Sequence, residues 1–194
     1  MKAGDLSQYQ YYLKIPNYTF NLDAEIRGSV EYIDRELAPP GKKTRVFLWT
    51  GDSNPTPDAV ALTYAARLGN MNGGDTTITR TQRSLTRVSP LGIPKGPWFQ
   101  VYGANQNENV YTSLWTENFF GFRRVIETFE LTDAPHRLKP INIYYHTYSA
   151  SKRASVDALH DVYRWALKQP VFHLYGSEYI DRVIAFRAAV IARD

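Results

Sequence analysis

The chain has 194 residues with 43% hydrophobic side chains and no cysteine, which excludes a disordered chain, disulfide bonds and cysteine-based zinc or thiol chemistry. No apolar run approaches the roughly 20 residues that a membrane span requires, and the N-terminus lacks the apolar segment of a signal peptide. The net charge of +4 arises in residues 41–103, but the densest basic group, Arg80, Arg83 and Arg87, is too short for the basic stripe of a nucleic-acid-binding module. We therefore expect one globular domain over residues 1–194, with no nucleic acid as a partner.

Helix and strand patterns alternate along the chain. Apolar side chains spaced by three and four residues predict a first helix over residues 23–37, which Pro39 and Pro40 end. A buried strand is predicted at residues 45–49, and Thr56 and Pro57 are typical of the N-cap and first position of the helix that follows. The other predicted strands cover residues 68–72, 98–102, 141–145 and 171–174, and the other predicted helices cover about 119–129, 151–168 and the region from 177 onward.

This alternation predicts the α/β class, with a mostly parallel sheet or barrel. A complete barrel of eight β/α units needs about 250 residues, whereas this chain has 194 and five predicted strands. Residues 1–20 have no clear strand pattern. We therefore expect the last five units of an incomplete barrel whose first units lie outside the chain, and an open five-stranded sheet is the alternative.

In parallel α/β folds the functional groups follow the carboxyl ends of the strands, and His146 directly follows the predicted strand at residues 141–145. Histidine is the residue type that most readily gives or takes a proton near neutral pH. His146 is therefore the first candidate for a catalytic acid or base, although a histidine at such a place is often structural.

Several other residues suit a sugar-binding cleft. Asp52 and Asp75 each follow a glycine after a strand and could form the carboxylate pair of a glycosidase, although an aspartate in such a turn commonly bonds its own backbone. Amide groups suit sugar hydroxyls, and aromatic rings stack on sugar faces. The substrate-binding candidates are Trp49, Asp52, Asp75, Asn105, Asn107 and Tyr145.

The sequence carries no local motif for a metal or a nucleotide. No two of the four histidines have the spacing of a histidine metal pair. Phosphate-binding glycine loops and the nucleophile elbow of serine hydrolases are also absent. Nucleotide-dependent and serine-hydrolase functions are therefore disfavoured.

Six segments carry a family resemblance. They are FLWTGD (47–52), MNGGDTTITR (71–80), SPLGI (89–93), NQNENVY (105–111), GFRRVIETFELT (121–132) and PINIYYH (140–146). They resemble the C-terminal part of the polysaccharide deacetylase domain of PelA-like proteins, which are large bacterial proteins linked to exopolysaccharide and biofilm. The similarity runs from about Tyr12 to the C-terminus.

The resemblance implies part of a barrel of seven β/α units, as in NodB-like carbohydrate esterases, which hold a divalent metal, often zinc. It implies hydrolysis of the N-acetyl groups of an amino-sugar exopolysaccharide, with His146 as the acid that protonates the amine and with the segments of Trp49, Asp52 and Asp75 as walls of the cleft. The family's metal-binding motifs match nothing here, so we expect the metal ligands upstream and the chain alone to be inactive.

The same resemblance implies partners and a location. The partners would be the polysaccharide substrate and the missing N-terminal part of the same protein, and the location would be periplasmic or extracellular. Two alternatives remain open: a carbohydrate-binding or scaffold module without catalysis, and a glycosidase that uses Asp52, Asp75 or Glu108.

Overall fold

The computed structural model describes residues 15–103, 108–111 and 121–192. The first element, α1, is a continuous helix with π-helical hydrogen bonding at Ala24–Gly28 and Ile33–Leu37 and an α-helical turn at Ser29–Tyr32 between them. It ends where Ala38 takes an extended conformation, which is the conformation that a following proline favours. The helix predicted over residues 23–37 is therefore confirmed.

A four-stranded sheet forms the centre of the described structure. Its strands are β1 (Val46–Leu48), β2 (Gly69–Met71), β3 (Gly92–Lys95) and β4 (Trp98–Val101), arranged in the order β1-β2-β4-β3. β1 runs parallel to β2 and β2 runs parallel to β4, whereas β3 pairs with β4 in the antiparallel sense. The α/β class and the mostly parallel sheet are confirmed, but the sheet is not closed into a barrel.

Helices cover both faces of this sheet. The side chains of each strand alternate between the two faces, so both faces carry apolar side chains that a helix can bury. On one face, Phe47, Trp49 and Trp98 pack with α1 and with α2 (Pro57–Ala65). Thr56 is the N-cap of α2, and its hydroxyl accepts the N–H of Ala59 at 3.3 Å. On the other face, Val46, Met71, Phe99 and Val101 pack against α6 (Gly176–Ala188). A Cβ built on Gly69 would lie 2.9 Å from Ile180 Cδ1, so the missing side chain lets α6 approach β2.

A second hydrophobic core is helical. It is built by α3 (Glu108–Tyr111), by α4 (Val125–Leu131) with the 3₁₀ turn Gly121–Arg124 before it, and by α5 (Arg153–Ala166). The hydroxyl of Thr128 on α4 donates to the carbonyl of Ile78 at 2.7 Å and so joins this core to the loop after β2. The buried members of the core are Tyr111, Phe122, Val125, Phe129, Ala158 and Val162.

Two predicted strands are wrong, and one strand was not predicted. Residues 141–145 and 171–174 form no strand pairing within the described part of the chain. Ile141 and Ile143 instead pack their side chains against the helical core, and Phe172 is 95% exposed. β3 escaped prediction because Gly92 and Pro94 are poor strand formers, and pairing with β4 overrides that propensity.

None of the helices in the described ranges is long and apolar enough to cross a membrane. The three arginines of the basic group, Arg80, Arg83 and Arg87, are all exposed. Arg80 forms a 2.8 Å ion pair with Glu130, Arg83 is exposed, and Arg87 lies 3.5 Å from the hydroxyl of Thr77.

Candidate functional site

The central feature of the candidate site is a buried carboxylate that holds His146. Glu108 lies on α3 and is 3% exposed. Its Oε1 accepts the backbone N–H of His146 at 2.6 Å and the hydroxyl of Ser149 at 2.5 Å. Its Oε2 lies 3.3 Å from the ring Nδ1 of the same histidine. A buried carboxylate requires such donors, since without them its desolvation would be costly.

This arrangement fixes the orientation of the imidazole. One carboxylate binds both the backbone and the ring of His146, so the ring cannot rotate without losing a contact. The rings of Tyr144 and His146 also meet in an edge-to-face arrangement, with 5.4 Å between their centroids. The histidine side chain keeps 35% of its surface exposed, which leaves the ring accessible beside a buried anchor. A partly exposed histidine that is held in one orientation by a buried carboxylate can give or take a proton, and the same contacts can also be purely structural.

Tyr145 lies next to His146 in the chain but makes different contacts. Its ring is perpendicular to that of Tyr163 on α5, with 6.4 Å between the centroids, and 41% of the residue is exposed. Partial burial raises the pKa of the Tyr163 hydroxyl, and the neighbouring Tyr145 raises it further. Tyr145 therefore pairs with α5, whereas His146 pairs with α3.

Tyr163 also lines a cleft of about 670 Å³. The cleft lies among the segment at residues 140–143, the C-terminal end of α5, residues 170–175 and the first turns of α6. Its polar lining includes Asn142, His173 and Arg182, and much of the rest is aliphatic or aromatic. A mixed lining of this kind fits a sugar or another partly apolar ligand.

The ends of the parallel strands are joined by a buried hydrogen-bond network around Trp49. The indole N–H of Trp49 donates to Asn70 Oδ1 at 3.1 Å, and the carbonyl of Trp49 accepts from Asn72 Nδ2 at 2.8 Å. The amide nitrogen of Gln100 donates to the carbonyls of Ser53 and Asn72, both at 2.7 Å. Trp49 is 8% exposed, so its ring faces the core and offers little surface to a sugar.

The two candidate aspartates differ in their surroundings. Asp52 is exposed, and its carboxylate accepts the N–H of Asn54 at 3.1 Å, which is ordinary turn chemistry. Asp75 is open to solvent on one side, but the surrounding protein partly desolvates its carboxylate, which raises its pKa. Asn105 and Asn107, the two amide candidates, lie outside the described residues.

The described residues do not fit a metal site. Within residues 15–103, 108–111 and 121–192, no three histidine or carboxylate side chains lie close enough together to hold an ion. That a metal binds elsewhere in the protein stays a prediction.

Sequence reasoning missed the roles of Glu108, Ser149 and Gln100. Glu108 is separated from His146 by 38 positions, and no periodic pattern marks a carboxylate that reaches so far. Gln100 occupies an inward position of a strand, where an apolar residue would be expected. That one polar residue in an otherwise apolar strand was the available signal.

No protein-family model matches the chain, and comparisons with curated proteins and with solved structures give no significant match.

Proposed function

We propose that this chain is the C-terminal portion of a polysaccharide deacetylase barrel that hydrolyses the N-acetyl groups of an amino-sugar exopolysaccharide. The observation that carries the proposal is the imidazole of His146, held by the buried carboxylate of Glu108 and still accessible to solvent. The segment resemblance around residues 140–146 supports the same role.

The proposed chemical role of His146 is that of a proton donor. Hydrolysis of the amide adds water to the acetyl carbon and breaks the bond from that carbon to the nitrogen. The products are acetate and an amine, and the departing nitrogen must gain a proton as the bond breaks. With Nδ1 directed at Glu108, the Nε2–H of the imidazolium points away from the carboxylate, and in this proposal it is the proton that passes to that nitrogen.

Glu108 acts in this proposal as a positioning residue. A carboxylate beside Nδ1 favours a proton on that nitrogen, so the neutral ring carries Nδ1–H and leaves Nε2 as the reacting atom. The substitution Glu108→Gln would weaken this preference because an amide oxygen is a poorer acceptor. Nitrogen NMR of the ring would then detect a larger fraction of the Nε2–H tautomer, a change that a purely structural role would not produce.

In this proposal, residues upstream of the chain would bind the divalent metal and activate the catalytic water. The open sheet would then be one part of the complete barrel. In the complete enzyme the metal would supply Lewis-acid activation of water and acetyl carbonyl.

A second candidate is a carbohydrate-binding module without catalysis. The observation that favours it is the 670 Å³ cleft, whose lining includes Tyr163, the residue against which the ring of Tyr145 packs. In this case Tyr163→Ala, which removes a ring from the lining of the cleft, would abolish retention of the chain on acetylated amino-sugar polymer, whereas His146→Ala would bind as well as the unchanged chain. The glycosidase alternative with Asp52 has the weaker support, because that carboxylate caps a turn.

The deciding experiment measures acetate release from N-acetylated hexosamine oligomers by the full-length gene product with zinc. We expect His146→Ala to lower the rate by about 10²–10⁴-fold. His160→Ala, which removes an exposed histidine of α5, is the matched control and should retain the full rate. Absence of acetate release by the unchanged protein, or an unaffected rate in His146→Ala, would overturn the proposal.

A further inference from the structure

The cleft of about 670 Å³ lies between the sheet and the helical core, at the carboxyl ends of two parallel strands. Met71, the last residue of β2, and Gly103, which follows β4, line its sheet side. Gly176, the first residue of α6, lies beside them, since a Cβ built on it would be 3.8 Å from Met71 Cε. Open α/β sheets bind ligands in crevices at this edge, and small-molecule sites have volumes of roughly 300–1,000 Å³. The cleft therefore has the position and the size of a ligand site.

The inner wall of the cleft is aliphatic. Ile141 and Ile143 line it, are partly buried and also pack against the helical core. Met71 is partly buried as well and packs in the core beneath α6. Leu167 and Phe172 are 70% and 95% exposed, which places them at the mouth of the cleft. An apolar ligand body inside the cleft would remove these side chains from water, a gain that grows with the area covered.

Positive charge occurs at the rim. The guanidinium of Arg137 already has partners, because its Nη2 lies 2.7 Å from Asp133 and its Nη1 donates to two backbone carbonyls. Arg182 on α6 and His173 also line the cleft, and both are exposed. Neither forms an ion pair with any residue that the structure describes. Arg182 therefore supplies a permanent positive charge that the described lining does not balance.

The acidic residues of α6 do not neutralise Arg182. Glu178 lies one turn before it, but its carboxylate accepts the backbone N–H of Tyr175 at 2.8 Å. Asp181 is adjacent in the chain, and consecutive positions of a helix do not face each other. The cleft thus combines an aliphatic interior with a cationic rim, which is complementary to a ligand with an apolar body and an anionic head.

We propose that this cleft binds a small amphipathic carboxylate, with its aliphatic body against Ile141 and Ile143 and its head group at Arg182. A guanidinium forms bidentate, charge-assisted hydrogen bonds with a carboxylate. A singly charged head group also matches one permanent cation, whereas a phosphate ester carries nearly two negative charges. An aliphatic wall favours an alkyl body over a sugar ring, which needs hydrogen-bonding partners for its hydroxyls.

This inference does not rest on the proposed deacetylase activity. It competes with the carbohydrate-binding alternative for the same cleft, so the experiment must distinguish the two ligands. The probes are decanoate, decanol, decylammonium, acetate and an N-acetylated hexosamine oligomer, each below the concentration at which it forms micelles.

The test titrates the 194-residue chain with each probe and follows its backbone amide and isoleucine methyl NMR signals. We expect decanoate to shift the signals of Ile141, Ile143 and Gly176 most. Its affinity should exceed that of acetate at least about a hundredfold, because acetate lacks the apolar body. Decanol and decylammonium have the same body without the negative charge, and each should bind at least about tenfold more weakly than decanoate.

Two variants separate the head-group contact from the contact with the body. Arg182→Gln should lower the affinity for decanoate at least about tenfold and leave the affinity for decanol unchanged, because only the ion pair is lost. Arg187→Gln is the matched control on the same helix, since the Arg187 guanidinium lies over the ring of Phe99 at 4.6 Å and does not line the cleft. It should bind decanoate as the unchanged chain does, and the comparison of decanoate with decanol needs no variant.

Three outcomes would overturn the proposal. The first is equal affinity for decanoate and decanol, or no binding of decanoate at all. The second is a set of largest shifts at Phe186 and Val190, which are 70% and 91% exposed and lie outside the cleft. The third is binding of the hexosamine oligomer at Ile143 and Gly176 in preference to decanoate, which would assign the cleft to carbohydrate.

Discussion

The ring of Tyr102 packs directly on Gly74, in the loop after β2. A Cβ built on the glycine would stand 2.0 Å from the ring's Cδ2, and Gly74 has a φ of +71°. Tyr102 is itself held at the end of β4, since its N–H donates to Leu91 and its carbonyl accepts the hydroxyl of Tyr179. The loop that carries Asp75 therefore has its position set by contact with a fixed ring.

The substitution Gly74→Ala should destabilise the protein strongly. The added methyl group must displace Tyr102, and the residue must keep a left-handed conformation, for a combined cost of about 2–4 kcal/mol. Gly41→Ala is the matched control, because Gly41 has a φ of +76° with nothing within 4 Å of the added carbon. The free energy of unfolding of Gly41→Ala should fall by only about 1 kcal/mol. Equal losses by denaturant unfolding would show that the ring moves aside easily.

Trp49→Phe tests whether this tryptophan is structural. Loss of the indole N–H leaves the buried Asn70 Oδ1 without that donor, so we expect the free energy of unfolding to fall by about 1–3 kcal/mol. Trp98→Phe removes a similar ring volume, but the Trp98 indole has no hydrogen bond to the described residues, and the loss should be smaller. A larger loss for Trp98→Phe would contradict the importance given to the Asn70 bond.

Glu108→Ala should be among the most destabilising changes of a polar residue in the chain. It leaves the N–H of His146 and the hydroxyl of Ser149 without their buried acceptor, for a loss of about 3–5 kcal/mol. Glu31→Ala, at an exposed position of α1, should change stability by less than about 0.5 kcal/mol. Thermal unfolding of the two variants measures the difference, and similar midpoints would contradict a structural role for the buried carboxylate.

Lys139 gives a prediction about pH. It is 3% exposed, its Nζ donates to the carbonyl of Pro90 at 2.9 Å, and burial lowers its pKa from 10.5 to about 8. Between pH 8 and 10.5 the unfolded chain holds the proton that the folded chain has lost, so this group makes stability rise with pH, by up to about 3 kcal/mol.

Lys139→Met should remove that rise. Burial raises the pKa of Tyr179 to about 12, which lowers stability between about pH 10 and 12 in both proteins. The measurement is therefore the difference in unfolding free energy between the unchanged chain and Lys139→Met across pH 8–10. A difference that does not change with pH would show that burial does not lower the pKa of Lys139.

Local chemistry made the helices predictable. The stripe of α1, the Thr56 cap and proline at the start of α2, and the amphipathic pattern of α5 each depend on residues within a few positions of one another. The strands at residues 46–48, 69–71 and 98–101 were also predictable, because each lies in a short apolar run that ends at glycine or polar residues. Residues 141–145 have the same kind of pattern, but Ile141 and Ile143 pack against the helical core and not beside another strand.

The sequence by itself determined the α/β class, most of the helices, and His146 as the residue to examine first. Tertiary structure alone decided that Glu108 would hold His146, that Trp49 would turn inward, and that β3 would pair with β4 despite its glycine and proline. The physical reason is range. Helix caps and apolar periodicity act between neighbours in the chain, whereas a buried carboxylate finds its donors, and a strand its neighbour, only when distant segments pack together.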